Sequence, residues 1–394
     1  MNGYETKRTG GGPGAAAPSG EMRAGADTTM DRLRIAVAGA GLIGRRHIEL
    51  IEAGPTCTLA AIADPAPATA EIADRAGVAR YPTLETLLAA DRPDGVVIAT
   101  PNHVHAPQAL ACIRAGVPCL VEKPLADTLE AGRRLCEEVA RTGARVLVGH
   151  HRRHSPILVR AREVVQGGTL GRIVAVQGSA LFYKPDGYFD EAPWRRQPGG
   201  GPILINLVHE VDNFRALCGE IAAVQAIASN AARGFPVEDT AAVILQFADG
   251  ALGTFLVSDT AACPRSWEQT SGENARYAAY PDEDCYVIAG TGGSLAVPTM
   301  RLRTYPREKD RSWWNPFRTR VVEVAPADPL DRQLGHFCAV IRGEAEPLVT
   351  VWDGLRNLQV IEAVAEAART GRTVAVEGVT GGAPRIHAPK EEGL

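Results

Sequence analysis

Ile35-Ala36-Val37-Ala38-Gly39-Ala40-Gly41-Leu42-Ile43-Gly44 decides the fold of this chain. An apolar run ends at a glycine, and the glycines that follow complete G-x-G-x-x-G. That order predicts a buried strand, a tight turn and the start of a helix. Gly39 permits the turn, Gly41 lets a pyrophosphate approach backbone N–H groups, and Gly44 lets helix and strand lie close together. Leu42 and Ile43 open the helix, whose N-terminus favours an anion. The next apolar run, Leu59-Ala60-Ala61-Ile62-Ala63, ends at Asp64. An acidic residue about 20 positions beyond the glycines accepts hydrogen bonds from the hydroxyls of an adenosine ribose and repels a 2′-phosphate, which predicts NAD. Arg45 and Arg46 lie close enough to keep NADP as the second reading.

Outward from this stretch, residues 31–150 alternate apolar strand-like runs with helix-like segments, the βαβ pattern of a doubly wound parallel sheet. Gly95-Val96-Val97-Ile98-Ala99 ends in Thr100-Pro101-Asn102, and Val117-Pro118-Cys119-Leu120-Val121 ends in Glu122-Lys123-Pro124. Beyond Gly149 the pattern changes. Strand-like runs at 173–180, 222–229, 241–247, 251–257, 286–289 and 294–297, with helices near 203–217 and 353–369, predict an α+β domain over 151–380. Its sheet is expected to be large, open and mostly antiparallel. Ala248-Asp249-Gly250 reads as a hairpin turn. Residues 1–30, with Gly10-Gly11-Gly12-Pro13-Gly14, read as a disordered tail, and 381–394 as a flexible one. Met30 stands directly before the first strand and reads as a natural start.

Composition excludes several classes. The formal net charge is -4 with 22% charged residues, and no basic block suggests a nucleic-acid partner. No apolar run approaches the ~20 residues of a membrane helix. Eight cysteines are scattered without a C-x-x-C pair, which predicts free thiols, no metal site and a reducing, cytoplasmic setting. His150 and His154 have i, i+4 spacing but lack an adjacent acidic ligand, so no metal is expected there either.

In a doubly wound sheet the carboxyl ends of the strands face the ligand crevice, and Gly39, Asp64, Thr100 and Lys123 all stand at such ends. Lys123 is therefore a candidate catalytic group. On the helix near 203–217, Leu204, Leu207, Val211, Phe214 and Cys218 form an apolar stripe, with Asn206, His209 and Asn213 on the opposite face. Gly199-Gly200-Gly201 before it permits close backbone approach. Arg153, near the domain boundary, and the loop residues Tyr183, Lys184, Trp194 and Arg195 are expected to contact a substrate.

These motifs, in this order, resemble the glucose–fructose oxidoreductase/inositol dehydrogenase/rhizopine catabolism (Gfo/Idh/MocA) family. The likeness spans most of 33–375. It includes Thr100-Pro101-Asn102 with His105, Glu122-Lys123-Pro124, Gly149 through Pro156, Trp194-Arg195, Gly199–Gly201, His209 with Asp212, and Asp353-Gly354-Leu355. The resemblance implies an NAD(P)-dependent dehydrogenase acting on a sugar, polyol or inositol hydroxyl. It implies that Lys123 contacts the reacting oxygen, that the Lys123–Pro124 bond is cis, and that His209 is the general base. Thr100, Pro101, Asn102, His105 and Glu122 join the cofactor set, and the open sheet forms a homodimer or homotetramer interface. One position departs from the family pattern: the aspartate four residues before the histidine is Ile205. Asn206 is the nearest polar replacement, able to orient a hydroxyl but not to accept a proton as a carboxylate does. A sugar-keto reductase, a redox glycosidase and a non-catalytic NAD-binding protein stand as alternatives.

Overall fold

The computed structural model describes residues 32–379. The readings made above for 1–30 and 381–394 lie outside the described residues.

The first sheet contains β1 (Leu33–Ala38), β2 (Cys57–Ala63), β3 (Ala79–Tyr81), β4 (Gly95–Ile98), β5 (Cys119–Glu122) and β6 (Val146–Gly149). All are parallel, in the order β3-β2-β1-β4-β5-β6. β4, β5 and β6 are buried throughout, because helices cover both faces of a parallel sheet. The order reverses between β1 and β4, which opens a crevice beyond their carboxyl ends. Gly39, with φ +87°, turns the chain there, and Gly44 lets the Leu42–Ala53 helix touch that turn. A Cβ on Gly44 would lie 1.9 Å from Gly39 O.

One face of this sheet is completed from the far end of the chain. Ile35, Val37, Val97, Leu120 and Leu147 pack with Leu334, Phe337, Cys338 and Val340 of the helix Pro329–Arg342. Val349 and Val351 join the opposite face. A helix from beyond 151 thus packs on the sheet of the dinucleotide domain. The returning helix carries readable signals: Asp328 accepts from Leu330 N–H at its start, Pro329 is its first residue, and Gly343 ends it.

The second sheet adds β7 (Ile173–Leu181), β8 (Ile221–Ser229), β9 (Thr240–Phe247), β10 (Leu252–Ser258), β11 (Tyr286–Gly290), β12 (Gly293–Val297), β13 (Arg301–Thr304), β14 (Arg318–Val321) and β15 (Val374–Ala375). Its order is β14-β13-β12-β11-β7-β10-β9-β8-β15, antiparallel except for the β7–β10 pair. The turn at 248–250 joins β9 to β10 as a hairpin. β13 and β14 escaped the pattern reading because arginines alternate with single apolar or threonine residues, and of the two only β14 is the exposed edge. The inner face, with Val243, Leu245, Phe255, Tyr286 and Leu295, packs on the helices Val208–Cys218 and Val351–Thr370. The outer face leaves Ile227 76% and Leu252 55% exposed. No described helix is long and apolar enough to cross a membrane.

Two glycine substitutions separate packing from ligand approach. Gly44→Ala is expected to lower stability by about 1–3 kcal/mol through the backbone clash. Gly41→Ala meets open space and is expected to change stability by less than about 0.5 kcal/mol while weakening NADH binding. Urea unfolding and NADH fluorescence titration of the two variants read these effects.

Candidate active site

The cofactor end of the crevice is built for an anion. The Leu42–Ala53 helix begins at Gly41 with no side chain capping its first turn and no acidic residue in that turn. Its N–H groups are therefore free for a pyrophosphate, and nothing lies within 4 Å of where a Gly41 Cβ would be. Leu42 is 74% exposed on this rim, and Ile43 is half-buried beside it. Asp64 follows β2. Its Oδ2 accepts from Ala40 N–H and its Oδ1 from Ala66 N–H, each at 2.8 Å. That fixes a carboxylate beside the glycine turn with lone pairs to spare for ribose hydroxyls. Arg46 is tied to Asp328 and Glu49, and Arg45 folds back on Ala40 O. The residues present thus fit NAD, and the two arginines that kept NADP in view have partners elsewhere.

Lys123 ends β5 and its peptide bond to Pro124 is cis. The strand end is held from behind. The buried Glu122 accepts from His47 Nε2 at 2.8 Å. Burial pushes the Glu122 carboxyl up, but His47, then His151 and Lys123, outweigh it and hold it below its ordinary value. His105 is 1% exposed, with Pro124 O and Thr100 O each 2.7 Å from a ring nitrogen. Glu122 and His105 were expected to touch the cofactor. Both side chains are buried and hydrogen-bonded within the protein, Glu122 to His47 and His105 to the strand-end carbonyls. Thr100 Oγ1 donates to Gln108 Oε1, while Pro101 and Asn102 form the rim between Thr100 and the Asn102–Val104 turn.

Opposite Lys123, the expected helix near 203–217 is two pieces. Ile203–Leu207 is a π-helical turn and Val208–Cys218 an α-helix. Such turns widen the backbone and recur at functional sites. Lys123 Nζ donates to Ile205 O at 3.2 Å, a bond across 82 positions that links the two domains. Burial lowers the Lys123 pKa, and Arg152 adds to the effect against Glu122 and Glu268. The supposed polar face of the helix is not solvated, since every residue from Val208 to Leu217 is buried. Asn213 donates to Tyr286 OH. His209 is 7% exposed, and its Nδ1 has no partner. Burial drives its pKa well below the ordinary histidine value, with Lys123, Arg152, His151 and His150 adding repulsion, so the ring is neutral at neutral pH.

Comparison with known proteins gives the arrangement its lineage. Residues 33–150 match an oxidoreductase family with an NAD-binding Rossmann fold, and residues 158–296 match the GFO/IDH/MocA C-terminal domain. The chain belongs to the GFO/IDH/MocA oxidoreductase family. It is 28% identical over 347 residues to the rhizopine catabolism protein MocA of Rhizobium meliloti, covering 86% of this chain and 95% of that one. It is 28% identical over 366 residues to an inositol 2-dehydrogenase of Rubrobacter xylanophilus, covering 88% and 94%. The WlbA dehydrogenase from Bordetella pertussis, solved in complex with NADH and UDP-GlcNAcA, superposes with a TM-score of 0.70 at 26% identity, covering 87% of this chain and 98% of that one.

Within this GFO/IDH/MocA frame, two arginines go where the sequence did not suggest. Arg153, expected at the substrate, is committed to Asp212, with Nε–Oδ2 at 2.8 Å and Nη2–Oδ1 at 3.0 Å. Asn357 completes that carboxylate's shell. Arg152 is buried between Glu210 at 2.7 Å and Glu268 at 2.5 Å, and Tyr286 OH also donates to Glu210. Trp194 and Arg195 stand on the short helical turn Pro193–Arg196. Trp194 is 52% exposed, and Arg195 lies 3.7 Å over the Tyr188 ring. The Gly200 backbone makes room for them, since a Cβ there would meet Trp194 O at 2.6 Å. Asn206 Oδ1 accepts from Lys184 Nζ at 2.7 Å. Lys184 thus sits beside the position where the family pattern has a carboxylate.

Burial would raise the Asp212 carboxyl, but His150 and Arg153 overcome it and bring it down to about 2. Removing the partner leaves an uncompensated buried charge, so Arg153→Met is expected to cost about 3–5 kcal/mol at pH 7. The Asp212 pKa is depressed on folding, so its contribution is present above about pH 4 and is lost as the pH falls toward 2. The gap between wild type and variant should therefore shrink across that window, as measured by urea unfolding at several pH values.

Proposed function

We infer that the protein is an NAD-dependent dehydrogenase oxidising a secondary hydroxyl of a sugar, polyol or inositol-like substrate. The observation that carries this reading is the pairing, at the carboxyl edge of an NAD-binding sheet, of a partly buried lysine ammonium with a buried, neutral imidazole. The inositol 2-dehydrogenase relative supports the substrate class.

NAD, when bound, supplies the hydride acceptor. The rest is the work of this chain's side chains. Neutral His209 takes the hydroxyl proton as general base. Lys123 donates a charge-assisted hydrogen bond to the oxygen as negative charge develops on it. The same ammonium repels a proton from His209, so the base stays available without a neighbouring carboxylate. Asn206, held by Lys184, orients a hydroxyl at the turn. Trp194 offers an apolar face at the entrance. Eight free thiols support a reducing, cytoplasmic setting. A second copy of the chain covers the outer face of the large sheet, where Ile227, Ile244, Leu252 and Leu256 stand exposed in neighbouring strands.

Lys123→Met should lower kcat about 10²–10³-fold with NADH affinity unchanged within about twofold. His209→Gln should lower kcat by about 10²–10⁴-fold. In the wild type the acid limb of kcat/KM should lie well below pH 6.5, because protonation of the depressed His209 is what removes the base. An acid limb at or above pH 6.5 would remove His209 from that role. Nicotinamide absorbance with a panel of sugars and polyols provides the assay. Ile227→Asp with Leu252→Asp should shift the assembled protein toward monomer in light scattering, and an unchanged mass would exclude this face as the interface.

A further inference from the structure

Lys184 holds Asn206 in the reading above, but hydride transfer from a neutral polyol does not need its charge. Its backbone is clamped on both sides: its N–H donates to Asp259 O at 2.9 Å, and its carbonyl accepts from Arg233 Nη2 at 2.8 Å. The side chain runs inward until 11% of its surface remains open. Its Nζ meets Asn206 Oδ1, one residue along the same turn whose Ile205 carbonyl receives Lys123. Two ammonium groups, one from each domain, therefore converge on adjacent residues.

A third cation joins them. Lys184 Nζ lies 4.9 Å and Arg195 Cζ 3.7 Å from the centre of one Tyr188 ring. Arg195 Nη1 donates to Tyr188 O, while its buried Nε has no partner. Compensation is thin. Neither Lys123 nor Arg195 has an ion-pair partner among the described residues. The carboxylate nearest Lys184 is Asp259 at 3.9 Å, and it already accepts from Arg233 at 2.8 Å. Glu268 is engaged by Arg152. At the turn itself the chain carries Ile205 rather than an acid, and Glu238, which accepts from Ile203 N–H, pairs with neither lysine.

We propose that Lys184 and Arg195 bind an anionic group of the substrate, so that the enzyme acts on acidic sugars rather than neutral ones. This rests on the dehydrogenase reading above and narrows its substrate. The anion, a carboxylate or a phosphate, takes the place opposite Lys123 that a side-chain acid would otherwise fill. A charge-assisted hydrogen bond to each cation then favours the acidic over the neutral sugar. Burial, against the attraction of Asp259 and Glu268 and with Lys123 and Arg195 repelling, brings the Lys184 ammonium down to about 8, so the preference for acids should fade as the pH rises above that value.

The test is isothermal titration of the NADH-loaded full-length protein with D-glucuronate, D-gluconate, D-glucose 6-phosphate and D-glucose. At least one acid should bind about tenfold or more tightly than D-glucose, the equivalent of one such contact. The glucuronate, gluconate and phosphate arms tell which anion is read. Lys184→Gln should remove that preference while leaving NADH affinity within about twofold, and Lys184→Arg should restore part of it. If Lys184→Gln does not fold, Arg195→Gln serves the same purpose. Equal binding of acids and D-glucose overturns the proposal and leaves the dehydrogenase reading standing. So does an acid preference that survives both substitutions. If no sugar of either kind binds the NADH-loaded protein, both fall.

Discussion

The Ile203–Leu207 turn meets two lysines with no acidic residue in its own sequence, and Glu238, against its start, is bonded to Ile203 N–H. Lys123 reaches it from the nucleotide domain and meets a backbone carbonyl, and Lys184 reaches it from the second domain and meets an amide oxygen. A carbonyl dipole answers an ammonium less fully than an acid does. The field that remains acts on what is buried beside it. His209, with no partner on Nδ1 and cations around it, stays neutral, and a neutral imidazole is the form that can accept a proton. The lysine that opposes charge on His209 is thus the lysine that welcomes charge on a substrate oxygen.

Holding this geometry takes both ends of the chain. The Pro329–Arg342 helix closes one face of the parallel sheet, and Arg46 pairs with Asp328 at its start. On the other side, Arg153, Asp212 and Asn357 lock the Val208–Cys218 helix to the Val351–Thr370 helix. Arg152 with Glu210, Glu268 and Tyr286 forms a second buried network under His209. In both, a carboxylate is already matched to an arginine, which is why neither is free to balance Lys123 or Lys184. Such networks fix one arrangement when every member is satisfied.

Much of this was legible in the residues. Glycine spacing after an apolar run, with Asp64 one strand later, specifies the nucleotide site because the backbone there leaves few alternatives. Lys123 could be placed by topology alone, since strand ends face the crevice. Three things escaped. The split between π-turn and α-helix at Leu207–Val208 has no periodicity signal, because the apolar stripe of Leu204, Leu207 and Val211 reads the same either way. Arg153 looked available because its partner Asp212 lies 59 positions away, and pairing at that range depends on tertiary structure. Lys184 could be read as a substrate contact on its loop, but its burial could not, since that comes from Arg233 and Asp259, which are far away in sequence. The helix at 329–342 was readable from Leu334, Phe337, Cys338 and Ile341, whose spacing marks one helical face.

The central claim is electrostatic: burial first, and then Lys123 and its neighbours, keep His209 neutral without a carboxylate partner. NMR titration of the His209 ring, assigned by its loss in His209→Gln, tests this directly when repeated in Lys123→Met. The account predicts that wild-type His209 remains neutral down to well below pH 6.5, and that its pKa rises when the Lys123 charge is removed. A wild-type pKa at or above the ordinary histidine value, or one indifferent to Lys123, would contradict it.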